Sequence, residues 1–504
     1  MPNPARSNPA TNPAREPARV AIDLGAESCR VSLLRWSTCG SSVHDGGEPT
    51  VELVHRIPNG PVRRGDHLRW SLSSILGGIE EGLRKCAAKA PEGIASIGVD
   101  SWSVDYVRIG ANGAPLDDPF CYRDERTAAA KERVDAVLPE FELYRRTGAL
   151  PIRINTVYQL VADSEAGIDA RTPWAMFPEF VLYWLSGRRI AEYSNASHSG
   201  LVNLKTGDWD REVFSALGLA IDAAPPIVPA GTILGPLKGP LAALDAFRHT
   251  RIIAPASHDT ASAIAGIPAD MSSAAYLCAG TWSLVGTLTA EPVATREALE
   301  ARYTNLGSAT EGRLFHTLVN GMWLIKQCMD GWAAQGRNWS IENLVEKAAA
   351  YNAAGVIDVD AAPLMLELNM PQRINNELER AGFAPIPDIA GNEPLFARVI
   401  FESLAMRYGS AISSLEHMLG RKLTRIHMLG GANRNRLLVE LTEKQTGLPV
   451  EIGETESSTI GSLAVQLAAD DGRAAPVSSA AVRAWAARLC RPAGQPLQPA
   501  GLPA

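Results

Sequence analysis

Two distant stretches of this chain repeat one local pattern, and the repeat restricts the folds that the chain can adopt. In each stretch a short apolar run leads into a turn of small residues and then a second strand-like run, which is typical of a β-hairpin. The segments are Val20–Ile22, Asp23–Arg30 and Val31–Trp36 in the first half, and Ala275–Cys278, Ala279–Ser283 and Leu284–Thr287 in the second. Such turns expose backbone N–H groups that can bind phosphate oxygens. The repeat therefore indicates an internal duplication, with a natural nucleotide site in the cleft between two domains.

An acidic residue follows a strand-like run near the middle of the chain. The run Arg251–Ala254 leads into Ala256-Ser257-His258-Asp259-Thr260-Ala261. A carboxylate at the seam between two halves can act on a substrate held in the cleft. The alternative is a polar loop in which Asp259 only caps the following helix. The hexapeptide alone favours the capping interpretation, because short motifs often match by chance.

Length, charge and cysteine usage restrict the class of protein. A chain of 504 residues is too long for one core and predicts roughly two to four domains. The net charge of -7, from 55 acidic and 48 basic residues, disfavours a nucleic-acid-binding protein. No apolar run reaches the roughly 18 residues of a membrane helix. Seven cysteines without a Cys-x-x-Cys pair predict neither a disulfide framework nor a zinc site, which fits a reducing cytoplasm.

Local patterns predict further elements. They are strands at Val51–Arg56, Ile94–Val99, Tyr106–Ile109 and Ile426–Leu429, and helices over Leu72–Leu83, from Cys121, near Glu179–Ser186, over Pro394–Leu419 and from Arg436. Asn392 is expected to cap the Pro394–Leu419 helix, and the Pro-rich stretch 223–236 is expected to be a connection. The glycine turn Gly430–Asn435 presents a helix N-terminus to a polar ligand. The chain contains neither a Gly-x-x-x-x-Gly-Lys-Ser/Thr loop nor a His-Glu-x-x-His motif.

Taken in order, these segments resemble the FGGY carbohydrate kinases, and within that family the rhamnulokinases. The resemblance extends over roughly Val20–Ala468 and rests on Asp23–Ser28, Tyr122–Asp124, Arg126-Thr127, Asn155-Thr156, Tyr158–Leu160, Glu192–Ala196, Trp209-Asp210, Ala256–Ser262, Gly280–Leu284 and Gly430-Gly431. Each segment is weak alone, whereas six or more in the family's order form a specific signal. The resemblance implies an α/β, two-domain actin-like (ribonuclease H-like) fold with an interdomain cleft. It also makes catalysis the expected role of Asp259.

The resemblance implies roles for individual residues. Asp259 matches the proton acceptor, and Asp23 matches the residue that assists magnesium. The expected sugar-binding residues are Trp102, Ser103, Asp105, His258, Thr260 and Asn320, and the expected nucleotide-binding residues are Ala26, Glu27, Ser28, Cys29, Arg30, Gly280, Thr281, Gln327, Gly431 and Asn435. Arg30 either assists the phosphates or forms a surface ion pair.

The chain departs from the family pattern at three places. Ser103 stands where the family usually has a glycine whose backbone touches the sugar, so its hydroxymethyl group changes the pocket. Cys29 also replaces a usual glycine, which strains the backbone only if φ is positive there. The segment Asn320–Gln327 is one residue shorter than in the family, so Asn320 and Gln327 do not both keep their register. Glu27 is expected to point away from phosphates or to reach a metal-bound water.

The expected activity is transfer of the ATP γ-phosphoryl group to a primary hydroxyl of a ketose, converting L-rhamnulose to L-rhamnulose 1-phosphate. Alternatives are an FGGY kinase for L-fuculose, a pentulose or erythritol, a nucleotide-binding switch of actin or chaperone type, or a degenerate kinase kept as a sugar sensor. The expected cofactors are ATP and Mg²⁺, and the expected partner is a small-molecule sugar, with no nucleic acid and no membrane. The protein is expected in the cytoplasm as a monomer or homodimer. The expected regions are tails at 1–19 and 486–504, a sugar and phosphate-turn domain at 20–250 and a nucleotide domain at 251–485.

Overall fold

The computed structural model describes residues 16–37, 48–472 and 475–490. The strands of these ranges, in chain order, are β1 (Ala18–Leu24), β2 (Ser28–Trp36), β3 (Pro49–Pro58), β4 (Pro61–Arg64), β5 (His67–Trp70), β6 (Ile94–Ser101), β7 (Tyr106–Arg108), β8 (Trp174–Met176), β9 (Ala191–Glu192), β10 (Ile227–Val228), β11 (Thr232–Pro236), β12 (Arg251–Ala254), β13 (Ala274–Ala279), β14 (Trp282–Thr289), β15 (Tyr303–Gly307), β16 (Arg313–Asn320), β17 (Arg425–Leu429) and β18 (Val450–Ile452).

The α-helices fill the connections between the strands. They are α1 (Leu72–Lys89), α2 (Thr127–Val137), α3 (Glu140–Thr147), α4 (Thr156–Glu165), α5 (Phe177–Ser186), α6 (Tyr193–Ala196), α7 (Arg211–Ala216), α8 (Asp259–Ala265), α9 (Arg296–Glu300), α10 (Trp323–Ala333), α11 (Ile341–Ala349), α12 (Met370–Arg380), α13 (Glu393–Leu419), α14 (Arg436–Thr446), α15 (Ser457–Gly472) and α16 (Ser479–Leu489). The helix α1 buries Leu72, Ile75, Ile79 and Leu83, the face that the spacing predicts. Among the described residues, no helix is both long and apolar enough to cross a membrane.

Two six-stranded sheets share one arrangement, and this confirms the duplication. The first sheet has the order β3-β2-β1-β6-β12-β11, and the second has β15-β16-β14-β13-β17-β18. In the first, β3, β2 and β1 are antiparallel neighbours, and β6 and then β12 continue parallel to β1. In the second, β16, β14 and β13 are antiparallel neighbours, and β17 and then β18 run parallel to β13. Each sheet therefore contains the same five-strand unit plus one further edge strand.

The sheet order brings several strand ends to one edge of the first sheet. β1 is buried along its whole length and ends with Asp23-Leu24, and the parallel strand β6 pairs Asp100 with Asp23. The next strand, β12, leads into the loop before α8, and Ser101 forms a β-bridge with His258 in that loop. In open sheets of this kind, ligands bind at the carboxyl ends of the parallel strands. The candidate site therefore lies at this edge.

The helices α8 and α15 join the two halves at the floor of the cleft. A Cβ atom built on Gly461 of α15 would lie 1.7 Å from the carbonyl oxygen of Ser262 in α8, so only glycine permits this approach. The Gln466 side chain of α15 also reaches the first sheet, since it donates to the carbonyl of Val20 and accepts from the Ser96 hydroxyl. The last long helix of the second half is thus part of the packing of the first sheet.

Several boundaries differ from the expected ones. β1 begins at Ala18, inside the expected tail 1–19, and α16 continues to Leu489, past the expected start of the second tail. Residues 1–15 and 491–504 of those tails lie outside the described ranges. The strand β12 belongs to the first sheet, so that sheet extends past the expected domain boundary at residue 250.

Three local expectations also need correction. The stretch 223–236 contains β10 and β11 as well as loop, because β11 pairs with β12. The helix expected from Cys121 begins only at Thr127. The Asn392 side chain does not cap α13, because its amide donates to the carbonyl of Pro387 instead.

Candidate active site

Asp259 lies in the first turn of α8 and faces the cleft. Its side chain keeps 40% of its surface accessible, whereas His258 beside it is buried. The N-cap position, directly before the helix, is occupied by His258, and its side chain makes no capping hydrogen bond. Asp259 is therefore not an N-cap. Partial loss of water around the carboxylate inside the cleft raises the pKa of Asp259 to about 6, although hydrogen bonds from Thr260 oppose the shift. A carboxylate with this pKa is ionised at neutral pH and is a better proton acceptor than an ordinary aspartate.

Asp23 lies near the end of β1, where it is buried and forms an ion pair with Arg30. Its Oδ2 accepts hydrogen bonds from Arg30 Nη1 at 3.0 Å and from the Ser458 hydroxyl at 3.1 Å. Arg30 also lies 3.5 Å from a carboxylate oxygen of Glu456. Burial raises the pKa of Asp23, the Arg30 charge lowers it, and the nearby carboxylate of Asp259 raises it. Arg30 therefore pairs with carboxylates at a half-buried position, and its assistance to the phosphates stays a prediction.

Asp100 is a third carboxylate at this edge, and the sequence interpretation assigned it no role. It is fully buried, and burial together with the charges of Asp23 and Asp259 raises its pKa well above the ordinary value. The Ser462 hydroxyl is close enough to lower this pKa. Even so, neither Ser462 nor Asp100 makes a hydrogen bond of normal geometry within the described ranges. An acidic residue at the end of a strand parallel to β1 was the signal that could have identified it.

The unpartnered oxygen atoms at this edge fit a hydrated divalent cation. Buried hydroxyls without a hydrogen-bond partner surround the carboxylates, at Ser101, Ser257, Thr459 and Ser462. In the part of the chain that the structure describes, no three or more His, Cys, Asp or Glu side chains converge on a metal position. Mg²⁺ commonly takes one or two carboxylates, phosphate oxygens and several waters. Asp23 and Asp100 supply such carboxylates, and the free hydroxyls can hold the waters.

The segment from Trp102 to Asp105 forms a rigid wall beside the site. Trp102 is buried and stacks on Phe177 with ring centroids 4.7 Å apart. Val104 has a φ of 72°, a strained value for a β-branched residue, and its carbonyl accepts from the Thr156 hydroxyl. Ser103 is half-buried, and its hydroxyl lies 3.1 Å from Nδ1 of His198, which sequence reasoning did not select.

Asp105 is part of this wall, and both of its carboxylate oxygens accept hydrogen bonds from neighbouring side chains. Its carboxylate accepts hydrogen bonds from the indole N–H groups of Trp70 and Trp102, at 2.6 and 2.9 Å, and from the amide of Gln159. Burial raises its pKa to about 6, against these donors. Asp105 therefore holds the wall in place, and its expected contact with sugar stays a prediction.

The two hairpin turns are both accessible, and their contacts with phosphate stay a prediction. Ala26, Glu27 and Ser28 are accessible, and Glu27 is the most exposed of the three, as expected for a side chain that avoids phosphates. Cys29 lies inside β2 and has no positive φ, so it is unstrained. In the second turn Thr281 is exposed, and the carbonyls of Gly280 and Thr281 accept from the N–H groups that open α10.

A cavity of 540 Å³ in the second half lies beside the glycine turn that is expected to bind nucleotide. Its wall combines the glycine turn before α14 with apolar side chains of α11, and it includes Met322, Ile341, Val345, Ala349, Gly431 and Asn435. Asn435 caps α14 by accepting from the Leu438 N–H, and its own amide nitrogen is buried without a partner. An unpartnered amide beside an apolar cavity can hydrogen-bond a ligand.

The register conflict within the segment 320–327 is visible in the structure. Asn320 ends β16 opposite Trp282, is fully buried, and donates to the carbonyl of Val359. It therefore lies in the second half, with the next residue, Gly321, against the Gly280 turn, and its contact with sugar stays a prediction. Gln327 is half-buried on α10. The sequence interpretation also missed the apolar wall of the cavity, because its members come from separate helices.

Both halves of the chain match known protein families. Residues 19–266 match the N-terminal domain of the FGGY family of carbohydrate kinases, and residues 275–469 match its C-terminal domain. A protein named rhamnulokinase from Bacteroides thetaiotaomicron is 33% identical over 451 residues, which cover 88% of this chain and 89% of that one. A second, from Enterococcus faecalis, is 32% identical over 454 residues and covers 89% of both chains.

Solved structures agree in fold. The gluconate kinase from Lactobacillus acidophilus superposes with a TM-score of 0.72 at 16% identity, covering 94% of this chain and 92% of that one. A ligand-bound xylulose kinase from the same organism has the same TM-score at 17% identity and the same coverage. At such identities the likeness concerns the fold alone. The fold, the two domain matches and the relatives together establish that the chain belongs to the FGGY family of carbohydrate kinases.

Proposed function

We propose that this protein is an ATP- and magnesium-dependent kinase that phosphorylates L-rhamnulose at its primary O1 hydroxyl. The observation that carries the proposal is the accessible Asp259 carboxylate between the two hairpin turns, with its pKa raised to about 6. The choice of sugar rests on the relatives from Bacteroides thetaiotaomicron and Enterococcus faecalis, each named rhamnulokinase.

In the proposed reaction the O1 oxygen attacks the γ-phosphorus of ATP, and the bond from that phosphorus to the bridging oxygen of ADP breaks. Asp259 accepts the proton of the attacking hydroxyl. Phosphoryl transfer depends mainly on positioning and charge neutralisation, so a carboxylate that takes the proton late is sufficient. His258 and Thr260 flank this carboxylate, and Thr260 donates two hydrogen bonds to it, which fix its orientation.

Asp23 and Asp100 are the residues that would hold Mg²⁺, which neutralises charge on the ATP phosphates when bound. Both carboxylates are buried, so their mutual repulsion is not screened by water. Arg30 offsets part of that repulsion through its hydrogen bond to Asp23. Because the Ser458 hydroxyl of α15 also donates to Asp23, this carboxylate touches elements of both halves of the chain.

The remaining residues divide the substrates between the two sides of the cleft. The backbone of the turn at 26–30 and the turn at Gly280-Thr281 bind the ATP phosphates, and the 540 Å³ cavity beside Gly431 and Asn435 binds adenosine. The wall of Trp102 and Ser103 bounds the sugar pocket. Domain closure over this site would exclude water and limit hydrolysis of ATP. The enzyme would work in the cytoplasm, as a monomer or homodimer.

The experiment is coupled ADP release with ATP and Mg²⁺ across a panel of ketoses and polyols, with Asp259→Asn as control. The proposal expects L-rhamnulose to give the highest kcat/KM and the control to lose at least about 10²-fold in kcat. If L-fuculose, a pentulose or erythritol gives the highest value, the kinase stands and the sugar assignment fails. If no sugar raises turnover, the kinase proposal itself fails and a sensor or switch replaces it.

A further inference from the structure

Three side chains connect the sugar-pocket wall to Asp259 through hydrogen-bonding distances. The Ser103 hydroxyl lies 3.1 Å from Nδ1 of His198, and Nε2 of His198 lies 3.1 Å from Nδ1 of His258. Nε2 of His258 lies 3.3 Å from Oδ1 of Asp259. The four residues come from three segments, since His258 and Asp259 are neighbours in the chain, and His198 follows α6 in a 3₁₀ turn of residues 197–199.

The charge of Asp259 determines which atom donates in each hydrogen bond between His258, His198 and Ser103. Nε2 of His258 lies 3.3 Å from Oδ1 of Asp259, and a ring lone pair at that distance would be repelled by the ionised carboxylate, so Nε2 carries the hydrogen. Burial lowers the pKa of His258 to about 3, so this ring is neutral and its Nδ1 is a bare acceptor. Nε2 of His198 must then donate to it.

The same argument extends to Ser103. Burial, followed by the nearby rings of His258 and His316, lowers the pKa of His198 well below its ordinary value. Because the neutral His198 ring has already committed its single hydrogen to His258, its Nδ1 can only accept, and the Ser103 hydroxyl donates to it. The Ser103 oxygen then offers only lone pairs to the half-buried space beside it.

We propose that His198 is a positioning residue that links Ser103 to His258, whose tautomer Asp259 sets, and that it makes Ser103 an obligate acceptor of a hydrogen bond from a sugar hydroxyl. This inference rests on the proposed sugar kinase activity. It assigns a selection rule to the pocket, since a sugar that lacks a donor hydroxyl at that point leaves the Ser103 oxygen unpaired. An unpaired buried polar atom costs more than the missing bond would have gained, which is a source of discrimination between substrates.

His198 is held well enough for such a role. Its backbone carbonyl accepts from the side-chain amide of Asn155 at 2.9 Å, and its ring packs on that of His258 with centroids 3.9 Å apart. Asn155 in turn accepts from the Ile152 N–H, so the support extends to the chain before α4. The ring therefore has one position from which both of its nitrogens reach their partners.

The first experiment measures tautomers directly, by ¹⁵N NMR of the full chain labelled at histidine, without substrate. We expect His198 and His258 both to appear as neutral rings protonated at Nε2 near neutral pH. In His198→Gln, whose amide can still donate, His258 should keep this form. In His198→Leu, which has no donor, His258 should still be protonated at Nε2, because Asp259 sets this tautomer. A His258 or a His198 protonated at Nδ1 in the unmodified protein would overturn the proposal.

The second experiment measures kcat and KM of the same variants and of Ser103→Ala with L-rhamnulose and its monodeoxy analogues. We expect Ser103→Ala to raise the KM for the parent sugar about 5- to 10-fold and to abolish the preference over one particular analogue. His198→Leu should lower kcat as well, and His198→Gln should restore most of that loss. A uniform change for every analogue would refute the acceptor role of Ser103. If the unmodified protein does not turn over L-rhamnulose, the activity proposal fails while the tautomer result still decides the role of His198.

Discussion

Replacing Gly461 by alanine tests whether the close approach of α15 to α8 positions the catalytic carboxylate. The added Cβ would lie 1.7 Å from the Ser262 carbonyl oxygen, whereas a normal contact is about 3.5 Å. The helices must therefore separate by about 1.8 Å. The obstacle is backbone, so no rotamer change relieves it, and Asp259 lies in the same seven-residue helix as Ser262.

The expected cost can be estimated from these contacts. Overpacking of this kind costs about 3 kcal/mol at the upper end of its usual range. Alanine in a helix returns about 1 kcal/mol relative to glycine, which leaves a net destabilisation of about 2 kcal/mol. A displacement of more than 1 Å at a catalytic group costs about 10²-fold in rate, so we expect kcat to fall by about that factor.

The assay combines urea unfolding with coupled ADP release, and the chain offers a matched control. Gly77 lies inside α1, and a Cβ built there meets nothing within 4 Å. Gly77→Ala should therefore stabilise the protein by about 1 kcal/mol and leave kcat unchanged. If Gly461→Ala is as stable and as active as Gly77→Ala, the helix contact does not position Asp259 and the reasoning is refuted.

Three further predictions concern charge and the nucleotide cavity. The kcat/KM should fall as pH drops through about 6, because Asp259 must be ionised to accept a proton. A pH profile that stays flat between 5 and 8, within about 2-fold, would contradict this assignment. Asp100→Asn should stabilise the metal-free protein by about 1 kcal/mol, since it removes a buried charge. It should also raise the Mg²⁺ concentration for half-maximal activity about tenfold, and both effects are measurable by unfolding and Mg²⁺ titration. Val345→Trp should fill the adenosine cavity and raise the KM for ATP about tenfold without changing the KM for sugar; equal changes in both would place adenosine elsewhere.

The sequence predicted the parts of this fold that depend on local patterns. The two hairpins, the helix α1 and the strand, glycine turn and helix around Gly430 all occur where hydrophobic periodicity and turn residues indicate. The edge strand β11 was missed because proline and glycine dominate its surroundings, and only its pairing with β12 makes it a strand.

The candidate site was predictable only in part, because many of its properties depend on partners that are distant in the chain. His198 contacts Ser103 across 95 residues, and no local pattern links the two. The sequence predicts that Asp105 contacts sugar, but it does not show that two indoles and an amide donate hydrogen bonds to its carboxylate. Asp100 gained importance only when the sheet order placed it beside Asp23.

The attachment of α15 to the first sheet has a consequence for synthesis on the ribosome. The Gln466 side chain binds Val20 and Ser96, and Gly98 must lack a side chain because Gln466 lies against it. The first sheet therefore cannot complete its packing while the nascent chain is growing, although N-terminal domains commonly fold first. One face of its central strands therefore stays uncovered until α15 has left the exit tunnel. Because that face is exposed during synthesis, we expect chaperones that bind nascent chains to bind the first sheet.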